Sequence, residues 1–355
     1  MVTIDEKIAQ YREKEKNATF YLMLLCLIIA VVFFLSITAS EIKISVLEGI
    51  QIIIDRINGV QPEGFLPTLK DRIVIDQNIP RGIGAIAAGI VLSISGAVLQ
   101  NLIRNPLADP YTLGISSGAL FGMVIYIAYG VSIVPFIIGD DAEIFNAFVA
   151  ALAPTAVVIF MAMFKKVTPT MMILCGIAVM YIFNAVTVII KYTIEPEKLS
   201  AIYQWSIGSV SGLAWGSLPK LMLAIVIVLI PMMYIREKID IVAQGDNQAI
   251  TLGVNPNKLR ICSLIVVSVA TAIIVCYTGT IGFVGLVAPH IARIFVGSKC
   301  KSLIPFSAAV GALMVLGCDY IVRVIAPTLP VGVILALVCS PIFIIILIRM
   351  RREVW

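Results

Sequence analysis

Hydrophobic residues in this chain come in blocks of about twenty rather than at helical or strand intervals. Ten blocks stand out, at 19–38, 82–102, 112–134, 144–164, 170–192, 217–235, 259–279, 281–297, 303–323 and 330–349. About 20 consecutive apolar residues carry a helix across the hydrocarbon of a bilayer. The pattern therefore predicts an all-α polytopic membrane protein with about ten spans. The join "TGTIGFVG" between the seventh and eighth is the least marked boundary. Residues 19–350 form one transmembrane domain between an N-terminal tail, 1–18, and a C-terminal tail, 351–355. Ten spans are compatible with two inverted halves of five, although no internal repeat is visible.

The polar interruptions carry information too. In the segment 39–81, "SVLEGIQIIIDRI" places Val46, Leu47, Ile50, Ile53 and Ile54 at helical spacing, with Glu48, Gln51, Asp55 and Arg56 opposite. It is too short and too charged to span, and is expected to lie at the membrane interface. In "RNPLADPYTLGISSGA", 104–119, two Xaa-Pro steps stop one helix before Ser116 and Ser117 open the next. Irregular backbone at membrane depth must be buried in protein or face water. "EPEKLSAIYQWSIGSVSGLAWGS" predicts a short interfacial helix and a turn near Trp205 and Trp215. "GDNQAITLGVNPNKLR", 245–260, predicts a short soluble-looking helix: Asp246 or Asn247 as its cap, Ala249, Ile250 and Leu252 as an apolar edge, Gly253 as its end, and a turn at Asn255-Pro256. No other short loop on that side offers a receiving surface, so a partner is expected there.

Composition agrees with the blocks. Of 355 residues, 60% are hydrophobic and 13% charged, against about 25% charged in soluble domains, and the mean hydropathy is +1.04. With the N-terminus in the cytosol, 17 of the 26 Lys and Arg fall in cytosolic segments, while 12 of the 21 acids fall outside. The positive-inside rule then places both termini in the cytosol, with "RMRREVW" as an inner-surface anchor. The first block is a retained span rather than a signal peptide, because the 18 residues before it are long and mixed in charge. Seven scattered cysteines and a single histidine, His290, provide neither a disulfide framework nor a metal cluster. The cysteines read as small buried hydrophobes.

Candidate functional residues are few. Gly82, Gly89, Ser93, Gly96 and Gln100 share a small-residue face on the second span, suited to close helix packing or to lining a path. Tyr181, Asn184, Thr187 and Lys191 form a polar stripe on the fifth, a candidate translocation path together with Ser116 and Ser117. Asp319 and Arg323 are spaced as a helical ion pair. His290 reads as a hydrogen-bonding group. No nucleophile constellation accompanies it, so the chain is expected not to be an enzyme. No G-x-x-x-x-G-K-[ST] occurs, so ATP, if used, is handled by another subunit.

Four stretches, "SGAVLQNLIRNPLADPYTLGISSGA", "GDNQAITLGVNPNKLR", "GTIGFVGLVAPHIARIFVG" and "LPVGVILALVCSPIFIIIL", occur in order between the spans. Together they resemble the permease subunits of ABC importers for iron chelates, haem and cobalamin, over about residues 72–350. The resemblance implies a homodimer with the substrate path on its axis, two cytosolic ATPase subunits that use ATP and Mg, and an extracytoplasmic substrate-binding protein. It implies that residues 244–258 are the coupling segment, with Gly245, Asp246, Ala249, Leu252 and Gly253 as contacts to the ATPase, and that no cofactor is held by this chain. It makes Arg81 and Arg323, with Lys70 or Arg72 as a substitute, candidates for docking the binding protein, although Asn78 stands where relatives carry another arginine. The competing expectation is a stand-alone secondary transporter, which needs deep carboxylates; Asp319 is the main candidate.

Overall fold

The computed structural model describes residues 4–134, 137, 139–164 and 168–350. In chain order its helices are α1 (Ile4–Thr38), α2 (Val46–Ile57), α3 (Phe65–Asp71), a π-helical stretch (Arg72–Asn78), α4 (Ile79–Ile103), α5 (Ile115–Tyr129), α6 (Asp140–Phe164), α7 (Pro169–Thr193) and α8 (Pro196–Ile207). They continue with α9 (Leu218–Tyr234), α10 (Arg236–Gln244), α11 (Asp246–Thr251), α12 (Pro256–Thr278), α13 (Val284–Val296), α14 (Cys300–Ile325) and α15 (Val331–Met350). No strand occurs among the described residues. The expected C-terminal tail, 351–355, and the charged side chains before Asn17 lie outside the described residues.

Each of the ten predicted spans coincides with an apolar helix. Six stretches are long and apolar enough to cross a bilayer unaided, and α9 with α10 makes a seventh if the pair, bent by 63°, counts as one. Of the other three, α5 and α13 are shorter, and α15 is apolar over Val331–Ile346 of its 20 residues. At 1.5 Å per residue, the 13 residues of α13 reach only about 20 Å, less than the ~30 Å hydrocarbon core. The boundaries moved because left-handed residues cut these helices short: Gly114 (φ 87°) and Gly130 (φ 66°) trim the expected 112–134 span to 115–129. α1 departs the other way, running through most of the expected N-terminal tail as one helix from Ile4.

α4 is the central helix. Its small-residue face proves to be packing surface. A Cβ added at Gly89 would stand 2.2 Å from the Gly311 carbonyl oxygen in α14, and one at Gly96 would stand 1.7 Å from that of Gly285 in α13. Backbone therefore rests directly on backbone, which is how spans gain dispersion contact in a medium that supplies no hydrophobic drive. α1 and α7 are peripheral and leave most of their central stretches exposed.

At the end of the bundle where α4 begins, α2 and α3 form a capping layer. Ser45 caps α2 by accepting from the Glu48 N–H at 3.1 Å, and Lys70 donates to Glu48 at 2.6 Å, joining α3 to α2. Ile53 turns inward with Ile37, Ile44 and Val74, while Leu47, Ile54, Ile57 and Phe65 stay exposed, as an interfacial helix requires. α8 is the expected short helix, and Trp215 ties the turn after it to the π-helical stretch before α4 by donating to the Ile75 carbonyl at 3.0 Å. Cys276, Cys300, Cys318 and Cys339 are buried, as expected, whereas Cys26 and Cys262 are exposed.

Candidate functional site

The 245–256 segment lies at the end of the bundle where α4 finishes. Gly245 (φ 142°, ψ 150°) breaks the chain direction between α10 and α11, a conformation open to glycine because it has no Cβ. α11 then closes with a Schellman motif. The Val254 N–H donates to the Ala249 carbonyl at 2.8 Å and the Gly253 N–H to that of Ile250 at 3.0 Å, with Gly253 at φ 77°. The Asn255 side chain accepts from the Lys258 N–H at 3.1 Å and starts α12.

Two sequence expectations change here. Asp246 does not cap α11; it is the first residue of the helix and Gly245 holds the cap position without a side-chain bond. Its carboxylate instead accepts from Arg260 twice, at 2.7 and 2.9 Å, and from Arg104 at 2.9 Å. The hydrogen bonds from Arg260, helped by the charges of Arg260 and Arg104, hold its carboxyl below the usual range against the opposing effect of burial. The apolar edge also divides. Ala249 is fully buried against the core, whereas Ile250 and Leu252 are each 64% exposed. Ile250 lines a cleft of about 520 Å³ together with Thr168, Asp246, Gly253, Asn255 and Asn257.

Beside this segment a polar cluster joins the end of α4 to α13. Arg293 donates to the Gln100 side-chain oxygen and, at 3.1 Å, to that of Asn101; Gln100 in turn donates to the Gly285 and Leu286 carbonyls at 3.2 and 3.3 Å. His290 lies between Arg293, 3.3 Å from its Nδ1, and the Pro106 carbonyl, 2.9 Å from its Nε2. Arg293 can only donate, so Nδ1 accepts and Nε2–H donates to Pro106. His290 is thus the hydrogen-bonding group its context suggested.

At the opposite end, Asp319 is fully buried and holds two arginines. Arg81 reaches it at 2.6 and 2.8 Å, and Arg323 through its Nε at 2.9 Å and its Nη2. Arg323 also donates to the Ser36 carbonyl at 2.8 Å and to the Asn78 side chain at 3.0 Å, and Asn78 donates to the Ile37 carbonyl at 2.7 Å. Arg81 and Arg323, expected as outward docking residues, are turned inward, where both donate to the buried Asp319 carboxylate and satisfy its oxygens. Of the three arginines only Arg72 is exposed. The expected i,i+4 pair is present, with Arg81 as an additional partner.

The candidate path residues are only partly brought together. Tyr181 and Asn184 are exposed on α7, but Thr187 is buried, with its hydroxyl unpartnered. Lys191 sits over the Tyr203 ring of α8, 4.7 Å from its centroid. Ser116 is half-buried, and Ser117 is buried and donates to the Gly114 carbonyl at 2.8 Å, the first turn of its own helix. No group of three or more His, Cys, Asp or Glu able to hold a metal occurs among the described residues. Sequence reasoning missed Arg260 and Arg104. The available signal was a cation, Arg260, four residues past a helix-starting proline and inside an apolar run.

Comparison with known proteins gives a consistent set. The model of the FecCD transport family matches residues 27–349, a longer stretch than the motifs alone delimited. A Helicobacter pylori protein named as a probable iron chelatin transport system permease is 33% identical over 334 residues, 94% of this chain and 98% of that protein. The cobalamin import system permease BtuC of Halobacterium salinarum is 34% identical over 283 residues, covering 79% of this chain and 75% of its own. The hemin transport system permease HmuU of Yersinia pestis is 30% identical over 285 residues, 79% and 84% of the two chains. A solved metal-chelate type ABC transporter in an inward-facing conformation superposes with a TM-score of 0.81 at 25% identity, over 93% of this chain and 99% of that one.

Proposed function

The chain belongs to the FecCD transport family, and we propose that two copies of it form the path of a binding-protein-dependent importer for an iron–siderophore, haem or cobalamin-type substrate. It is a multi-pass membrane protein and an ABC importer permease subunit; ATP hydrolysis belongs to a separate subunit. In the proposed assembly both termini and α11 face the cytosol of a cell whose cytoplasmic membrane holds the protein. Two ATPase subunits, which alone use ATP and Mg, receive α11, and the chain holds no cofactor of its own. An extracytoplasmic binding protein approaches the face that carries α2, α3 and Arg72.

The observation that carries this reading is the exposed pair Ile250 and Leu252 on a helix whose other side is pinned by Ala249 and Asp246. A helix fixed to its own protein on one side and apolar on the other is built to enter a groove elsewhere. Tyr181 and Asn184, exposed on the peripheral helix α7, are the proposed path residues. Few fixed charges line that surface, which suits release. A ligand shifts an equilibrium only by its differential affinity for the two states, so a permease that held its cargo tightly would stall. The stand-alone transporter loses its main support, since its main candidate acid, Asp319, is spent on Arg81 and Arg323.

Purification in mild detergent from native membranes, with mass spectrometry of co-purifying proteins, tests the assembly. A phosphate-loop ATPase in equal amount is expected. A reproducibly solitary chain that still transports in liposomes would overturn it.

A further inference from the structure

A helix of six residues held between Gly245 and Gly253 is a poor lever by itself, because both hinges are the residues with the fewest backbone restraints. We propose that Arg260 is the positioning residue that joins α11 to α4, so that the two move as one body when the ATPase displaces α11. The inference rests on the importer reading given above.

Arg260 leaves α12 with a side chain only 1% exposed. Its guanidinium spends donors in two directions. Two N–H groups make the bidentate fork to Asp246, and Nε–H donates to the Leu102 carbonyl at 2.9 Å. Leu102 lies in the last turn of α4, where backbone carbonyls have no helical partner. One planar group thus fixes the first residue of α11 and the final turn of α4 in a single plane. Arg104, the left-handed residue that ends α4 (φ 53°), reaches the same carboxylate from the exposed side at 2.9 Å. α11 is therefore tied through Asp246 directly to the end of α4 by Arg104, and to α12 by Arg260, which itself holds α4 at Leu102.

The choice of residue follows. A lysine is a point charge and could not hold a carboxylate in a bidentate fork while donating to a carbonyl from a third nitrogen. The choice of α4 matters as well. Its backbone lies against α13 at Gly96 and against α14 at Gly89, and tight contacts of that kind transmit displacement because packed interiors are poorly compressible. A movement of Asp246 is handed to the centre of the bundle rather than absorbed at the two glycines.

The test uses the permease co-purified with its ATPase. Spin labels are placed at Gln248→Cys on α11 and Leu107→Cys beyond the end of α4, both exposed, with Cys26 and Cys262 replaced by Ser. The spin–spin distance is measured without nucleotide and with ATP plus vanadate. In the parent, one narrow distribution common to both states is expected. In Arg260→Gln and in Asp246→Asn, the distribution should broaden and its mean should differ between the states by several Å. Variants as narrow and as nucleotide-independent as the parent would overturn the inference. Should Arg260→Gln fail to assemble, Asp246→Asn, whose side chain is 36% exposed, decides alone. If no ATPase co-purifies with the parent, the importer reading fails and takes this inference with it, an outcome separable from the first because it appears before any distance is measured.

Discussion

Arg81 and Asp319, 238 positions apart in sequence, meet at 2.6 Å where the start of α4 crosses α14. Asp319 has no exposed surface, and Arg323 completes its shell from the next turn of α14. Removing the acid leaves two largely buried guanidinium groups facing each other without a counter-charge. Breaking a buried ion pair from one side costs about 3–5 kcal/mol, so Asp319→Ala should lower thermal stability in detergent sharply. Arg81→Met should cost less, since Arg323 still neutralises the acid. Equal and small losses in both variants would show that the cluster does not hold this end of the bundle together.

Leu252 offers the opposite case. It is largely exposed beside Ile250, and no core residue depends on it. Leu252→Asp should leave the melting temperature of the permease nearly unchanged, since exposed substitutions usually stay within about 0.5 kcal/mol. Its effect should fall on the partner, where loss of a buried apolar anchor costs about 2 kcal/mol or more, roughly a thirtyfold weaker hold on the ATPase. Pull-down of the ATPase at matched expression measures this. Undiminished retention in both Leu252→Asp and Ile250→Asp would remove α11 from the interface.

How much of this was legible in the sequence depends on how local the signal is. The spans were readable because hydrocarbon thickness sets their length, and the end of α11 because Gly253 is a local backbone requirement. The inward turn of Arg81 was not readable for the converse reason. Whether an arginine near a span end faces water or a buried acid depends on a partner 238 residues away, which no local pattern encodes. Arg260 was invisible as a site residue because its partners, Leu102 and Asp246, lie on two other helices. The small-residue face of α4 was legible as a face, but the choice between packing and path needed the positions of Gly285 and Gly311.

That choice has a direct consequence. A methyl group at Gly96 would overlap the Gly285 carbonyl, which is backbone and cannot rotate away, whereas a Cβ at Gly282 meets nothing within 4 Å. Overpacking a tight contact typically costs about 1–3 kcal/mol. Gly96→Ala should therefore lower the unfolding midpoint clearly and Gly282→Ala should not. Indistinguishable midpoints would mean that α4 and α13 are free to separate by the width of a methyl group.

The path assignment on α7 is the prediction that most needs a spatial readout. Asn184 and Ile182 are both exposed, yet at 3.6 residues per turn they lie about 160° apart around the helix. An amide facing lipid would be left without a hydrogen-bond partner, a cost the bilayer cannot offset, so the Asn184 flank is expected to face water and the Ile182 flank hydrocarbon or protein. In a background with Cys26 and Cys262 replaced by Ser, Asn184→Cys should react with a membrane-impermeant maleimide and Ile182→Cys should not. If nucleotide-driven alternation closes the outer side, labelling of Asn184→Cys from outside should fall when the ATPase is trapped with ATP and vanadate. Equal reactivity at the two positions, or none at Asn184→Cys from either side of the membrane, would take α7 out of the path.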